Sequence, residues 1–528
     1  MSGAHGSRSP ATNLGLLDAT MIGIGAMIGA GIFVLTGLAA ETAGAGAIVV
    51  FALNGGVTAF TALSYAELAS AIPKNGGGYA YVREAFSAPV AFVMGWTRWF
   101  TYMAAGALYA LGFSSNFVEL VHLYWPGLPA SEPWIIGYAL FAIVSFVGLN
   151  ALSTEASGGA ETLVTAIKIV ILLIFVAFGI SAVDGANFSP LFPPESGFVS
   201  VLPAMGLTFI AFQGYDLIAT VTEEVENPQR NIPRAIFASV IVTVIIYLLV
   251  VGVAIGTLGP DLLAAAGETA VAEAAIGFMP DVGLFGAPIG GALIAFGAVF
   301  STVSALNAVV IGSSRVAFAM GRERQLPARL GRIHHEYGTP YLAILASATV
   351  MLVATIAAPI RVVGNLASLF SLLGFAVVNL AVIRIRNQQP DLSRPFSVPL
   401  YPATPILGIV LNLLLSAFIS PETWAIAIGW LAVGAALYVV LSRRAPGIGA
   451  DEPVGGVASE ASTATVPGEG PLDAEDTAAI ETVAGAETGG EIPDPWDGDG
   501  DRDGGSRAAE TDPGLEVDSE QNLTEEDT

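Results

Sequence analysis

Residues Gly23 to Gly31 place four glycines in nine positions of an otherwise apolar run, Gly23-Ile24-Gly25-Ala26-Met27-Ile28-Gly29-Ala30-Gly31. In a soluble helix each glycine costs about 1 kcal/mol against alanine. Close helix packing through Gly25 and Gly29, four residues apart, would account for two of them. Gly29 and Gly31 are two apart and face different sides of a helix, so one packing face does not take both. A break that presents backbone amides and carbonyls to a ligand accounts for all four. A second run of this kind spans Gly206 to Asp216, with Gly214 in its middle beside Gln213 and Asp216, among aromatics. The amino end of a half-helix offers free N–H groups and a positive dipole end to a carboxylate; the carboxyl end offers carbonyls to an ammonium. An α-amino acid carries both groups a short distance apart.

Two further residues could do chemistry. Lys168 stands in Ala166-Ile167-Lys168-Ile169-Val170-Ile171-Leu172-Leu173, where a charge at mid-membrane costs about 2.5–3.5 kcal/mol on insertion scales. It either snorkels to the inner interface, since Glu161 is only seven residues away, or has a buried task. Glu67 sits near the inner end of an apolar run, as a functional carboxylate or as the partner of Lys74 or an inner-loop arginine. Asp216 reads as a structural acid capping the second half of its span rather than as a ligand group. Gly76-Gly77-Gly78 lacks the ending and the preceding strand of a phosphate loop. No nucleophile–base–orienter set is visible, so no enzyme activity is expected, and an acidic chain carries no nucleic-acid footprint. With no cysteine and four histidines, neither a metal centre nor a cofactor is expected.

The elements that must position these residues follow from composition. The 528 residues are 54% hydrophobic and 12% charged, about half the usual charged fraction, with a mean hydropathy of +0.68. A spanning helix needs about 20 apolar residues, and twelve segments qualify, near 19–40, 46–72, 89–121, 134–152, 162–183, 198–222, 235–259, 286–318, 341–359, 363–383, 403–420 and 423–442. With the amino terminus inside, sixteen Lys and Arg residues, Arg98 among them, fall on the inner side and Arg361 alone on the outer. That asymmetry sets the orientation, with both termini cytoplasmic. From residue 445 the chain holds 23 acidic and 2 basic residues and almost no large apolar ones, so a disordered tail is expected. The organisation is therefore a segment 1–13, a membrane body 14–444 and an acidic tail 445–528. The glycine runs fall in spans one and six, equivalent places in two five-helix halves, and paired interrupted helices of this kind point to a transporter's binding site.

The glycine run followed by Ile32-Phe33 resembles a signature of the amino acid–polyamine–organocation superfamily of permeases. Three stretches are similar to its other motifs: Leu63 to Leu68 with Pro73 to Tyr79, Glu223 to Ala235, and Ser314-Arg315 with Ala319 to Glu323 and Leu326-Pro327. Phe209 to Asp216 and Lys168 bring the likeness nearest to proton-coupled, cationic-amino-acid-transporter-like members. The resemblance implies an all-α fold of twelve transmembrane helices in the cell membrane. Spans 1–5 and 6–10 form an inverted repeat with discontinuous helices one and six, and spans eleven and twelve are accessory. It implies secondary active transport of an amino acid by alternating access, with protons as the coupling ion. An exchanger of amino acids or polyamines and a non-transporting amino acid sensor are the alternatives. Backbone N–H groups of Met27, Ile28, Gly29, Ala30 and Gly31 would receive the substrate carboxylate. Phe209, Ile210, Phe212 and Gln213 would supply carbonyls for the ammonium and an aromatic lid, with Phe209 as the gate. Lys168 would take the place of a sodium ion, donating to carbonyls near Gly25 and Ile28 and to Ser301 or Thr302. The pocket shows no extra carboxylate, which argues against a dedicated cationic substrate.

Overall fold

Hydrocarbon offers the backbone no water, so a chain this apolar must close its hydrogen bonds within each span, which makes helices. The computed structural model describes residues 14–444 apart from 75, 153–157, 280–282, 285–286 and 336. The expectations for the segment 1–13 and the acidic tail 445–528 fall outside the described residues. In chain order the helices are α1 (Leu16–Met27), α2 (Ala30–Ala43), α3 (Ala47–Ala71), α4 (Gly77–Ala85), α5 (Ala88–His122), α6 (Glu132–Leu152), α7 (Gly158–Gly179) and α8 (Val201–Thr208). They continue with α9 (Pro228–Leu258), α10 (Pro260–Ala266), α11 (Ala270–Phe278), α12 (Ile289–Arg322), α13 (Tyr341–Ala357), α14 (Ile360–Gln388), α15 (Ala403–Ala417) and α16 (Pro421–Arg444).

Nine helical stretches of the described residues are long and apolar enough to cross a membrane; the first, Leu16–Ala71, runs through α1, α2 and α3. Tyr341–Ala357 and Ala403–Ala417 are shorter apolar helices. Side chains such as Phe141, 72% exposed, and Leu149 on α6 point outward, as a lipid-facing surface requires. Gly283–Leu284 pairs antiparallel with Ala287–Pro288, and this two-residue ribbon is the only sheet among the described residues, a small amendment to the all-α expectation.

Three boundaries differ from the sequence expectation. Residues 228–234, expected as loop, are the first turns of α9, because Asn227 takes a left-handed conformation (φ 46°) and Pro228 follows in the first turn, where a missing N–H breaks no bond. Arg384 and Arg386 belong to the end of α14 rather than to a loop. Arg98, counted among the inner-loop cations, lies within α5 and is 8% exposed.

The helices that carry the candidate site form the middle of the bundle. α1 packs on α7 and α9, α3 on α9, and the long α5 on α12 and α14. Polar side chains tie these helices where no water reaches. Asn379 of α14 donates to Thr61 Oγ1 at 3.0 Å and accepts from Ser64 at 2.7 Å, and Asn412 of α15 donates to the same Thr61 oxygen at 3.0 Å. At one end of the bundle, the stretch before α9 is tied to the start of the first span: Leu14 N–H donates to Glu224 O at 3.1 Å and Glu226 N–H to Leu14 O at 2.9 Å.

Glu67 takes the second of its two expected roles. It is 2% exposed and accepts a fork from Arg386, with the Nε bond at 2.7 Å, plus Val398 N–H at 2.7 Å; Arg394 Nε stands 3.7 Å away. Lys74 pairs instead with Glu84 at 3.8 Å. Removing one partner of a buried pair strands the other charge, which costs about 3–5 kcal/mol, whereas an exposed pair contributes about 0–1 kcal/mol. Arg386→Ala, which strands the buried Glu67, is therefore expected to lower the melting temperature in detergent by many degrees and Lys74→Ala hardly at all; equal shifts would refute the difference in burial.

Candidate functional site

α1 ends at Met27 and α2 begins at Ala30. Between them Ile28 (φ −76°, ψ 65°) and Gly29 (φ −100°, ψ −136°) leave helical geometry. A new helix start gives Ala30, Gly31 and Ile32 N–H groups without intrahelical acceptors. The second break follows α8: residues Phe209–Phe212 wind tightly, Gln213 is extended (φ −81°, ψ 138°), Gly214 takes φ 144°, and Tyr215–Thr220 wind tightly again. The two breaks touch. A Cβ on Gly214 would lie 2.6 Å from Met27 N, so glycine is required there both by its positive φ and by the neighbouring backbone.

Side chains from three helices satisfy what the breaks set free. The Tyr247 hydroxyl on α9, fully buried, lies 2.5 Å from Met27 O and 3.0 Å from Ala211 O, bridging the two broken segments. Ser301 of α12 lies with its hydroxyl 2.7 Å from Ile28 O and 3.1 Å from Gly29 O. Asp216 Oδ1 accepts from Gly214 N–H at 3.0 Å, the capping contact expected of it, while Oδ2 forms an ion pair with Arg98. Neither Tyr247 nor Arg98 was singled out from the sequence.

Lys168 is fully buried on α7, which excludes snorkelling. Its Nζ donates to Gly25 O at 3.1 Å and to Ser304 Oγ at 3.1 Å. The hydroxyl partner thus differs from the expected Ser301 or Thr302. Ser301 is engaged by the first break, and Thr302 bonds back to Ala298 O at 2.8 Å within its own helix. Ser304 lies three residues beyond Ser301, on the same helical face, and so reaches α7.

A cavity of about 20 Å³, room for about one water, lies against both breaks. Ala26, Gln213, Gly214 and Leu217 line it from the broken segments; Tyr102, Ala105 and Tyr109 line it from α5, and Ala305, Ala308 and Val309 from α12. No charged side chain lines this cavity. Of the nine residues expected to bind substrate, only Gln213 forms its wall, with Oε1 accepting from Ser371 at 2.8 Å. Phe209, expected as the gate, is fully buried with its ring centroid 6.0 Å from Phe375, and Phe212 packs at 5.8 Å on Phe51 and 5.3 Å on Tyr247. Ile210 N–H donates to Ser368 at 3.1 Å. Tyr102 and Tyr109, two helical turns apart on one face, were the legible sign of α5's share.

Another ion pair joins α4 to the stretch that follows α12. Glu323 pairs with Arg83 of α4 and accepts from Tyr79 at 2.6 Å. Burial and the Glu323 carboxylate push the Tyr79 phenol well above its ordinary range.

A family model described as amino acid permease matches residues 14–441. The chain belongs to the amino acid permease family. It lies within the amino acid–polyamine–organocation superfamily, as its motifs suggested. This permease is 30% identical over 466 residues to the branched-chain amino acid permease BcaP of Bacillus subtilis, covering 84% of this chain and 96% of the relative. It is 30% identical to the methylthioribose transporter of the same organism, over 84% and 96%. It is also 30% identical to the serine/threonine exchanger SteT, again of Bacillus subtilis, over 75% and 88%.

The geometry reassigns one glycine of the permease. A Cβ on Gly31 would meet Ala211 Cβ at 2.5 Å and Ala211 Cα at 2.7 Å, so Gly31 lets α2 close onto the second broken segment. Overpacking of this kind costs about 1–3 kcal/mol. Gly31→Ala should lower the melting temperature, and Gly31→Ala/Ala211→Gly should recover part of the loss; unchanged melting in the single variant would refute the packing role.

Proposed function

We propose that this permease is a secondary active transporter, a proton symporter that carries a neutral α-amino acid across the cell membrane by alternating access. The observation that carries this reading is the contact of the two breaks at Met27 and Gly214, beside N–H groups freed at the start of α2. Such a pairing of interrupted helices suits a cargo with a carboxylate and an ammonium. The cavity's lining of alanines, valine, leucine and tyrosines favours a small or moderate neutral side chain over a cationic one. The relatives named for amino acids support the same class.

The finer architecture is part of the proposal. Counting α1–α2 and α3 as two passes and adding the two shorter apolar helices gives twelve spans, with spans 1–5 and 6–10 as inverted repeats and both termini cytoplasmic. The substrate carboxylate would meet the amides around Met27 to Gly31, and the ammonium the carbonyls around Phe209 to Gln213. Lys168 would act as the coupling group: its contact with Gly25 O ties a group that can gain and lose a proton to the half of span one that ends at the break. A fixed cation there leaves no room for sodium.

Reconstituted permease, screened by thermal shift against the twenty amino acids, should be stabilised by one or more neutral ones. Uptake of that amino acid should follow an imposed pH gradient and ignore sodium, and Lys168→Ala should still bind but lose pH-driven accumulation. Sodium-dependent uptake, or full accumulation by Lys168→Ala, would overturn the coupling. Flux only against internal amino acid would assign an exchanger, the activity for which one relative is named, and binding without flux a sensor.

A further inference from the structure

Two charges in the body of the bundle have no part in the reading above. Arg98 and Asp216 are 8% and 1% exposed and form an ion pair. Arg98 lies about 15 Å along α5 from its start at Ala88, at 1.5 Å per residue, too deep for a loop charge. Its guanidinium stands 5.0 Å from the Tyr102 ring centroid and 5.8 Å from that of Phe375. Tyr65 and Tyr215 close the box, each with its ring within 5.8 Å of Phe375. The buried Tyr65 hydroxyl has no hydrogen-bond partner among the described residues.

The pair borders the cavity. Tyr102, one turn beyond Arg98 on the same face of α5, lines it, and so do Gly214 and Leu217 on either side of Asp216. The other end of this border faces the beginning of α5 and α4, the cytoplasmic side on the proposed orientation. Asp216 also divides its labour between two oxygens. One holds Gly214 N–H at the break and the other holds Arg98, so the pair cannot part without tension on the broken segment.

We propose that the Arg98–Asp216 pair is the cytoplasmic gate of the cavity and that it selects zwitterionic cargo. The inference rests on the transport reading. For cargo to leave toward the cytoplasm, two desolvated charges must separate inside an aromatic box. A buried charge deprived of its partner is strongly disfavoured. An α-amino acid passing between them presents its carboxylate to Arg98 and its ammonium to Asp216, and each charge keeps an opposite partner throughout. An amine without a carboxylate, or an acid without an ammonium, compensates only one. The gate therefore opens most readily for a molecule carrying both groups.

The chain contains no cysteine, so Ala308→Cys in the cavity wall provides a single thiol for a membrane-impermeant maleimide applied to inside-out vesicles. On that background Asp216→Asn keeps an oxygen for Gly214 N–H and loses the charge, and Arg98→Met loses the other charge. Each is expected to raise the labelling rate about tenfold, because a stranded charge no longer holds the gate shut. The double variant Arg98→Met/Asp216→Asn leaves no unpaired charge; it should melt no lower than the parent and label as fast as the single variants. Uptake of L-leucine competed by L-leucinol and by 4-methylpentanoate reads the selectivity. The preference for L-leucine should shrink about tenfold in the double variant, whose charges can no longer pair with the zwitterion. Parental labelling in a folded double variant would overturn the gate, and raised labelling with unchanged preference would overturn the selection. Labelling needs no cargo, so a parent protein that transports no amino acid would sink the transport reading while the gate is still measured.

Discussion

A helix opened inside hydrocarbon must have its freed backbone groups bonded again, because each unsatisfied group costs several kcal/mol there. This permease opens two helices at one level, and a small set of buried polar side chains answers that constraint. Tyr247 reaches a carbonyl in each broken segment, Ser301 covers the two carbonyls of the first break, and Asp216 takes the amide of Gly214. Lys168 covers Gly25 O one turn earlier. The donors Lys168, Tyr247 and Ser301 come from α7, α9 and α12, and the acceptor Asp216 from the second broken segment itself, so the cost of breaking α1–α2 is met by helices on either side of it. Breaking the chain and fixing the packing of its neighbours are one arrangement.

The same arrangement makes the breaks responsive. Lys168 donates to Gly25 O and to Ser304 of α12, so one side chain on α7 ties α1 to both neighbours. Arg98 and Asp216 act at the opposite side of the contact, where the oxygen that caps Gly214 and the oxygen that meets Arg98 belong to one carboxylate. Neither interaction lies in the cavity wall itself, yet each ends on a residue adjoining it. Asp216 thus acts on backbone displaced from helical geometry at Gly214, and Lys168 on the last turn of α1 before the first break.

The membrane-crossing helices were legible because apolar length reports directly on spans. The two breaks were legible for the same kind of reason: glycine is expensive in a helix, and its clustering at Gly23 to Gly31 and at Gly214 demanded an explanation. Partners across helices were much less so. Ser304 and Ser301 differ by one helical turn, and which of them meets Lys168 depends on the rotation of α12, which no local pattern carries. Arg98 was counted with the inner cations although it falls within the span 89–121; the partner that accounts for its burial, Asp216, is 118 positions away in sequence. The close approach of Gly31 to Ala211 is a cross-helix fact of the same kind. Aromatic bulk misled as well, since Phe209 and Phe212 are packed on Phe375, Phe51 and Tyr247 while the cavity takes its tyrosines from α5.

A scaffold built this way separates two kinds of recognition. Backbone N–H and C=O groups at the breaks are the same whatever side chains surround them, provided glycines permit the opening and the close approach of Gly214 to Met27. The common part of an α-amino acid can be read by those groups alone. What distinguishes one amino acid from another must then be read by the walls, here Ala105 and Tyr109 of α5 with Ala305, Ala308 and Val309 of α12. Walls of small residues set only a volume, and one methylene more or less is worth about 1–3 kcal/mol in an apolar pocket. On the proposed reading Ala105, Ala308 and Val309 are the positions at which cargo could be retuned, whereas Ala305 and Tyr109 lie against Gly29 of the first break, and substitutions at Gly214 or Tyr247 would disturb the breaks for every cargo alike.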